Sequence, residues 1–122
     1  MNNRQLGETG EQIAVDYLIK NGFTILNRNF RSGRFGEIDI IAEEDSCICF
    51  IEVKTRTSDT FGAPSEAVDH KKMQKIRSLA WIYLKQNRME DRFMRFDVIE
   101  VIASRTKDSV LPKTINLIRG AF

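Results

Sequence analysis

Two apolar, β-branched runs separated by four polar residues constrain this chain most. Gly36-Glu37-Ile38-Asp39-Ile40-Ile41-Ala42 and Cys47-Ile48-Cys49-Phe50-Ile51-Glu52-Val53-Lys54 flank Glu43-Glu44-Asp45-Ser46. Runs of this length bounded by so short a polar break form an antiparallel hairpin. Alternation along a strand puts Glu37 and Asp39 on one face, and Glu52 and Lys54 on one face. If Asp45-Ser46 is a two-residue turn, Glu44 pairs with Cys47, Asp39 lies opposite Glu52, and Glu37 lies opposite Lys54. If the loop takes four residues, Asp39 lies opposite Phe50 and diagonal to Glu52. Both registers project Asp39, Glu52 and Lys54 from the same face. Asp-Ser lacks the glycine of the strongest hairpin turns, so both stay open.

Around this hairpin the chain alternates between helical and strand patterning. Arg4 to Asn21 has helical spacing, with Leu6, Ile13 and Tyr17 in one row and Ala14 and Leu18 beside it. Asn3 is the expected N-cap and Asn21-Gly22 the stop. Phe23 to Leu26 reads as a first strand, Arg28 to Phe35 as a basic loop, and Thr55 to Gly62 as a polar loop. Pro64-Ser65-Glu66 opens a helical stretch, re-capped at Asp69 and running to about Asn87. Its apolar stripe is Ile76, Leu79, Ala80, Tyr83 and Leu84. Phe93 to Ala103 and Thr114 to Ile118 read as the last strands. The order α-β-β-β-α-β-β implies an α/β fold, with a mixed sheet flanked by helices.

Length and composition fit one domain spanning residues 1–122. Hydrophobic residues make up 42% and charged residues 30%, the balance of a globular protein rather than a disordered one. No apolar run reaches a membrane span, and Met1-Asn2-Asn3-Arg4-Gln5 opens no signal-peptide stretch. The expectation is a cytoplasmic protein with no membrane partner. A net charge of +2 is too small to imply a polyanionic partner by itself. Cys47 and Cys49, with His70 the only histidine, make neither a zinc site nor a disulfide framework, and read as small buried hydrophobes.

The chemistry lies in Asp39, Glu52 and Lys54. Neighbouring carboxylates repel, and each favours water over the apolar surroundings of Ile40, Ile41, Phe50 and Val53. A divalent cation removes that cost. Carboxylate oxygens suit Mg²⁺ or Mn²⁺, which bind through one or two protein carboxylates plus substrate phosphate. Asp39 and Glu52 are the candidate metal ligands, with the backbone carbonyl of Val53 as a third. Lys54 then stands where it can orient or activate an attacking water, or neutralise charge on a phosphorane-like transition state. The bland alternative is a solvated ion-pair ladder in which Lys54 balances two surface acids.

Asp39 with Glu52-x-Lys54 resembles the PD-(D/E)XK motif of restriction-endonuclease-like nucleases. Six further matches extend that likeness. They are Gly7-Glu8-x-Gly10-Glu11-x-x-Ala14, Asn29-Phe30-Arg31, Gly36 to Ala42, Phe50-Ile51-Glu52-Val53-Lys54-x-Arg56, Val68 with Lys72, and Arg95-Phe96-Asp97-Val98. In that order they resemble the bacterial YraN-like family, from about Gly7 to Phe122. The resemblance implies an αβββαβ core of the restriction-endonuclease-like class, related to archaeal Holliday junction resolvases. It also implies a metal-dependent endonuclease with Asp39, Glu52 and Lys54 at the core positions. Glu11 matches a first-helix acid that lies near the metal in the resolvase relatives. Its spacing from Ala14 and Leu18 turns it toward the body of the protein. Glu37 matches a family position too, or simply partners Lys54 or a nearby arginine.

Basic residues cluster near these acids. Arg28, Arg31 and Arg34 precede the Asp39 strand, Arg56 follows Lys54, and Lys71, Lys72, Lys75 and Arg77 crowd the start of the second helix. These are candidate phosphate contacts for DNA, or ordinary solvated charge. Phe30 and Phe35 read as loop anchors in the core rather than base-stacking platforms. Asp97 reads as the partner of an arginine. The expected function is hydrolysis of phosphodiester bonds in branched or damaged DNA, with a homodimer as a further assembly to test. The alternative is a catalytically silent nucleic-acid-binding or scaffold protein of a DNA-processing complex.

Overall fold

The hairpin closes in the first of the two registers at its turn, but the ladder ends at Ile40–Ile51, so the expected pairs Asp39–Glu52 and Glu37–Lys54 are not part of it. In a computed structural model, which describes residues 2–57, 69–107 and 109–122, Glu44 pairs with Cys47 and Ile40 with Ile51. Asp45 and Ser46 take φ of 48° and 68°, so both turn residues are left-handed, as a type I′ turn requires even without glycine. The hairpin joins β2 (Glu37–Glu44) to β3 (Cys47–Thr57). The expected helical start at Pro64-Ser65-Glu66, the Val68 motif position and the loop through Gly62 lie outside the described residues.

Helix α1 (Asn3–Lys20) is capped by Asn2, one residue before the expected Asn3. Asn2 Oδ1 accepts the Gln5 N–H at 2.8 Å while Gln5 Oε1 accepts the Asn2 N–H at 2.9 Å. That reciprocal box satisfies two donors that a helix start leaves open. After α1 the chain turns at Gly22, φ 92°, into β1 (Thr24–Arg31). The expected strand at Phe23–Leu26 and basic loop from Arg28 are corrected here. Phe23 is a core residue outside the strand, and pairing with β2 continues to Arg31 opposite Glu37, past a bulge between Ile25 and Asn27. An edge strand with one partner tolerates such polar residues.

The sheet is mixed, in the order β1-β2-β3-β4-β5. Helix α2 (His70–Gln86) carries the chain from β3 to β4 (Phe93–Arg105), and these two strands are parallel. A parallel pair needs such a crossover, whereas the other pairs are antiparallel. The last strand, β5 (Val110–Ile118), starts before the expected Thr114. Likewise β3 runs through Thr57, so Thr55 to Thr57 are strand rather than loop.

The two helices cover separate cores. Ala14, Val15 and Leu18 of α1 pack with Cys49, Ile51 and Ile99, whereas Ile76, Leu79, Tyr83 and Leu84 of α2 pack with Ile41, Ile48 and Phe50. The expected α2 stripe is the buried one. Along β3, odd positions therefore face α1 and even positions face α2. Glu52 and Lys54 continue the even series. Phe30 packs on the α2 core, its ring 5.2 Å from that of Tyr83, but Phe35 is 42% exposed and joins none of the core clusters among the described residues.

Ion pairs knit the turn end of the hairpin to the last strands. Glu44 accepts hydrogen bonds from Arg95 Nη2 at 2.5 Å and Arg119 Nη2 at 2.7 Å. Buried Asp97 accepts from Arg95 Nε at 3.0 Å and from the Gly120 N–H at 2.9 Å, so its expected arginine is Arg95. Among the described residues no helix is long and apolar enough to cross a membrane.

Candidate active site

The opposite end of the hairpin is where the acids meet. The β2–β3 ladder reaches Ile40–Ile51, and beyond it Asp39 Oδ2 accepts the Val53 N–H at 2.8 Å. A side chain thus satisfies a main-chain donor at the end of the ladder. Glu52, on the α2 side of β3, is only 2% exposed. Its Oε2 lies 3.6 Å from Lys72 Nζ on the first turn of α2, and its Oε1 meets no hydrogen-bond donor among the described residues. Lys72 is held there by the helix start, since Asp69 caps α2 by accepting the Lys72 N–H at 2.8 Å.

Electrostatics follow from that crowding. Burial, then the charge and contact of Asp39, push Glu52 up to about 8, against the pull of Lys72 and Lys54. Burial, then the contact and charge of Lys72, bring Lys54 down to about 8, opposed by Glu52 and Asp39. Burial also works against the charge of Lys72, but its contact with Lys54 and the charges of Glu52 and Asp39 outweigh burial and raise it. Glu52, Lys54 and Lys72 thus interact too closely beside Asp39 for their protons to be assigned one by one.

Glu11 reaches the same region from α1. Its Oε1 accepts from Asn29 Nδ2 at 3.0 Å and lies 3.3 Å from Arg28 Nη2. Burial raises its pKa first and the charge of Asp39 second, while Arg28 and Asn29 pull it back. The close approach of α1 depends on Gly10. A Cβ there would lie 2.7 Å from Thr55 Cβ on β3, so no rotation of Thr55 clears it. Asn29 presents its amide from a left-handed backbone, φ 54°.

Glu11, Arg28, Arg31, Asp39, Lys54 and Arg56 line an open cleft of about 1180 Å³, and the Glu52 carboxylate is buried beside it. The expected phosphate contacts divide accordingly. Arg28, Arg31 and Arg56 border the cleft; Arg34 is exposed in the turn before β2; Lys71 and Lys75 are exposed on α2. Arg28 is held by Glu11 and by Gln12 at 3.1 Å, and Arg31 pairs with Glu37 at 2.9 Å, which gives Glu37 its partner. Lys72, grouped by sequence with its exposed neighbours, belongs to the acidic centre instead. Only the motif pairing of Val68 with Lys72 marked it out from them. Among the described residues no three His, Cys, Asp or Glu side chains gather as a metal-ligand set.

Residues 10–101 match the family described as "Uncharacterised protein family UPF0102". The chain belongs to UPF0102. The matched span opens at Gly10 and takes in Glu11, Asp39, Glu52, Lys54 and Lys72. A UPF0102 protein of Acetivibrio thermocellus is 49% identical, covering 99% of this chain and 93% of its own length. One from Caldicellulosiruptor bescii is also 49% identical, over the whole of both chains. A Clostridium tetani UPF0102 protein is 43% identical, over 98% of this chain and 95% of its own length.

Proposed function

We propose that this UPF0102 chain is a metal-dependent DNA endonuclease of the restriction-endonuclease-like class, with Asp39, Glu52 and Lys54 as its catalytic core. Glu52 is the observation that carries the reading. A buried carboxylate beside a second one, with an oxygen lacking any described donor, is costly unless a cation completes it. The residues fit Mg²⁺ or Mn²⁺, with the carboxylates of Asp39 and Glu52 and the carbonyl of Val53 as the holding groups. When bound, such a cation polarises the scissile phosphate and eases deprotonation of the attacking water.

The chain's own residues supply the rest. Lys54, brought down to about 8, exchanges its proton near neutral pH. As an amine it accepts a proton from the attacking water; as an ammonium it offsets charge on the phosphate. Glu11 holds Arg28 and Asn29 in place at the cleft. Arg31, Arg34, Arg56, Lys71 and Lys75 are the phosphate contacts, which position DNA without reading its sequence. Branched or damaged DNA is the favoured substrate, on the likeness to Holliday junction resolvases.

One observation favours the second reading, a catalytically silent DNA-binding or scaffold protein. Lys72 already neutralises Glu52, and no third acid joins the pair among the described residues. Cleavage of linear, single-stranded, flapped and four-way-junction DNA with Mg²⁺ and with Mn²⁺ decides between the two. On the nuclease reading, Lys54→Ala leaves Mn²⁺ affinity unchanged or slightly raised, since a nearby positive charge is lost, and loses about 10²–10⁴-fold in cleavage. If wild-type protein cuts no substrate with either metal, the silent reading takes its place. Equal cleavage by Lys54→Ala removes Lys54 from the chemistry.

A further inference from the structure

We infer that Lys72 holds the place of the divalent cation at Glu52 in the metal-free protein, so that ammonium and metal compete for one carboxylate. This rests on the metal-site reading above and assigns Lys72 a role distinct from contact with DNA. Geometry carries it. Lys72 Nζ lies 3.6 Å from Glu52 Oε2, while the neighbouring Lys71 and Lys75 are exposed on the same helix. The lysine is half exposed at 41%, whereas the carboxylate it faces is 3% exposed, so the cation can leave for water and the acid cannot. The Asp69 cap fixes the backbone of the first helical turn, from which Lys72 projects.

Charge counting shows what the ammonium does. With all four groups ionised, Asp39 and Glu52 against Lys54 and Lys72 balance without metal. An ionised Glu52, buried beside half-buried Asp39, is strongly disfavoured without that balance. When a divalent ion enters, the same ammonium becomes a repulsive neighbour. A doubly charged ion feels it about twice as strongly as a proton does. The sign of the effect is therefore the same whether the metal displaces a proton from Glu52 or finds the carboxylate already ionised. Lys72 thus stabilises the empty centre and weakens metal binding, which makes it a positioning and regulatory group rather than a catalytic one.

Calorimetric titration with Mn²⁺ alone, without DNA, tests this. Lys72→Ala and Lys72→Gln should bind Mn²⁺ about tenfold more tightly than wild type. Lys72→Arg keeps the charge and should stay within about twofold of wild type. Lys85→Ala, which removes a lysine from the far end of the same helix, should do the same. Gln guards against a folding defect in the Ala variant, since it retains most of the side chain. Equal or weaker binding by both neutral variants overturns the inference while leaving the metal site standing. If neither wild type nor any Lys72 variant binds Mn²⁺, the metal-site reading falls and this one falls with it. Binding that appears only when Lys72 is neutralised supports the competition directly.

Discussion

At Asp39 one carboxylate serves both the fold and the acidic centre. Its Oδ2 takes the Val53 N–H at the end of the ladder, and its charge acts on Glu52, Lys54, Lys72 and Glu11. Asp39→Asn separates the two roles, because an amide oxygen still accepts from Val53 but carries no charge. The variant should fold with an unchanged or raised melting temperature, since a like-charge contact is gone. Its Mn²⁺ affinity should fall about tenfold or more by calorimetry. Unchanged affinity would remove Asp39 from the metal site. The convergence of Asp39, Glu52 and Lys54 was legible because alternation holds along β3 and either hairpin register kept them together, although β2 departs from it, with Ile40 in the α1 core and both Ile38 and Ile41 in the α2 core. Lys72 was not legible in that role. Its distance from β3 depends on how α2 docks, a tertiary relation that no local period encodes.

At the scale of elements, α1 and β3 meet at Gly10 and Thr55. Glycine is a poor helix residue, so its presence mid-helix reflects the close approach rather than propensity. Gly10→Ala gains helix propensity yet drives a methyl group into Thr55. The net effect should be a loss of about 1–3 kcal/mol of stability, read by denaturant unfolding. Gly10→Ala with Thr55→Ala should recover part of that loss. Recovery of none would place the clash elsewhere. Strand β1 shows why element limits escaped the sequence. Asn27, Arg28 and Asn29 break the apolar pattern, and only the bulged pairing with β2 reveals them as strand. The α2 stripe, by contrast, was readable because five apolar positions at helical spacing leave little choice of face.

Over the whole molecule, Glu44 ties the hairpin turn to β4 through Arg95 and to the chain after β5 through Arg119. Hydrogen bonding from Arg119, with further help from Arg95, outweighs burial and holds its carboxyl down at about 2 instead of 4.5. A depressed carboxyl stabilises the fold fully above its unfolded pKa and loses that effect as pH falls through the folded one. This contribution should therefore be complete above about pH 4.5 and disappear toward pH 2. Melting temperatures of wild type and Glu44→Gln should differ at neutral pH and converge across that window. A gap that persists at pH 2 would mean the loss is one of packing rather than charge.

Cys49 gives the same molecule a built-in clock. It lies fully buried in the core beneath α1, and burial, then the charge of Asp97, pushes its thiol up to about 12. A thiol that neither ionises nor meets solvent reacts with an alkylating reagent only when the sheet opens. Half-buried Cys47, two residues away at the start of β3, should react first and mark the reagent as active. The slower second labelling then counts the openings of the central strands, one molecule at a time, with no denaturant. In Gly10→Ala, where the added methyl group weakens the seating of α1 against β3, that second event should come sooner.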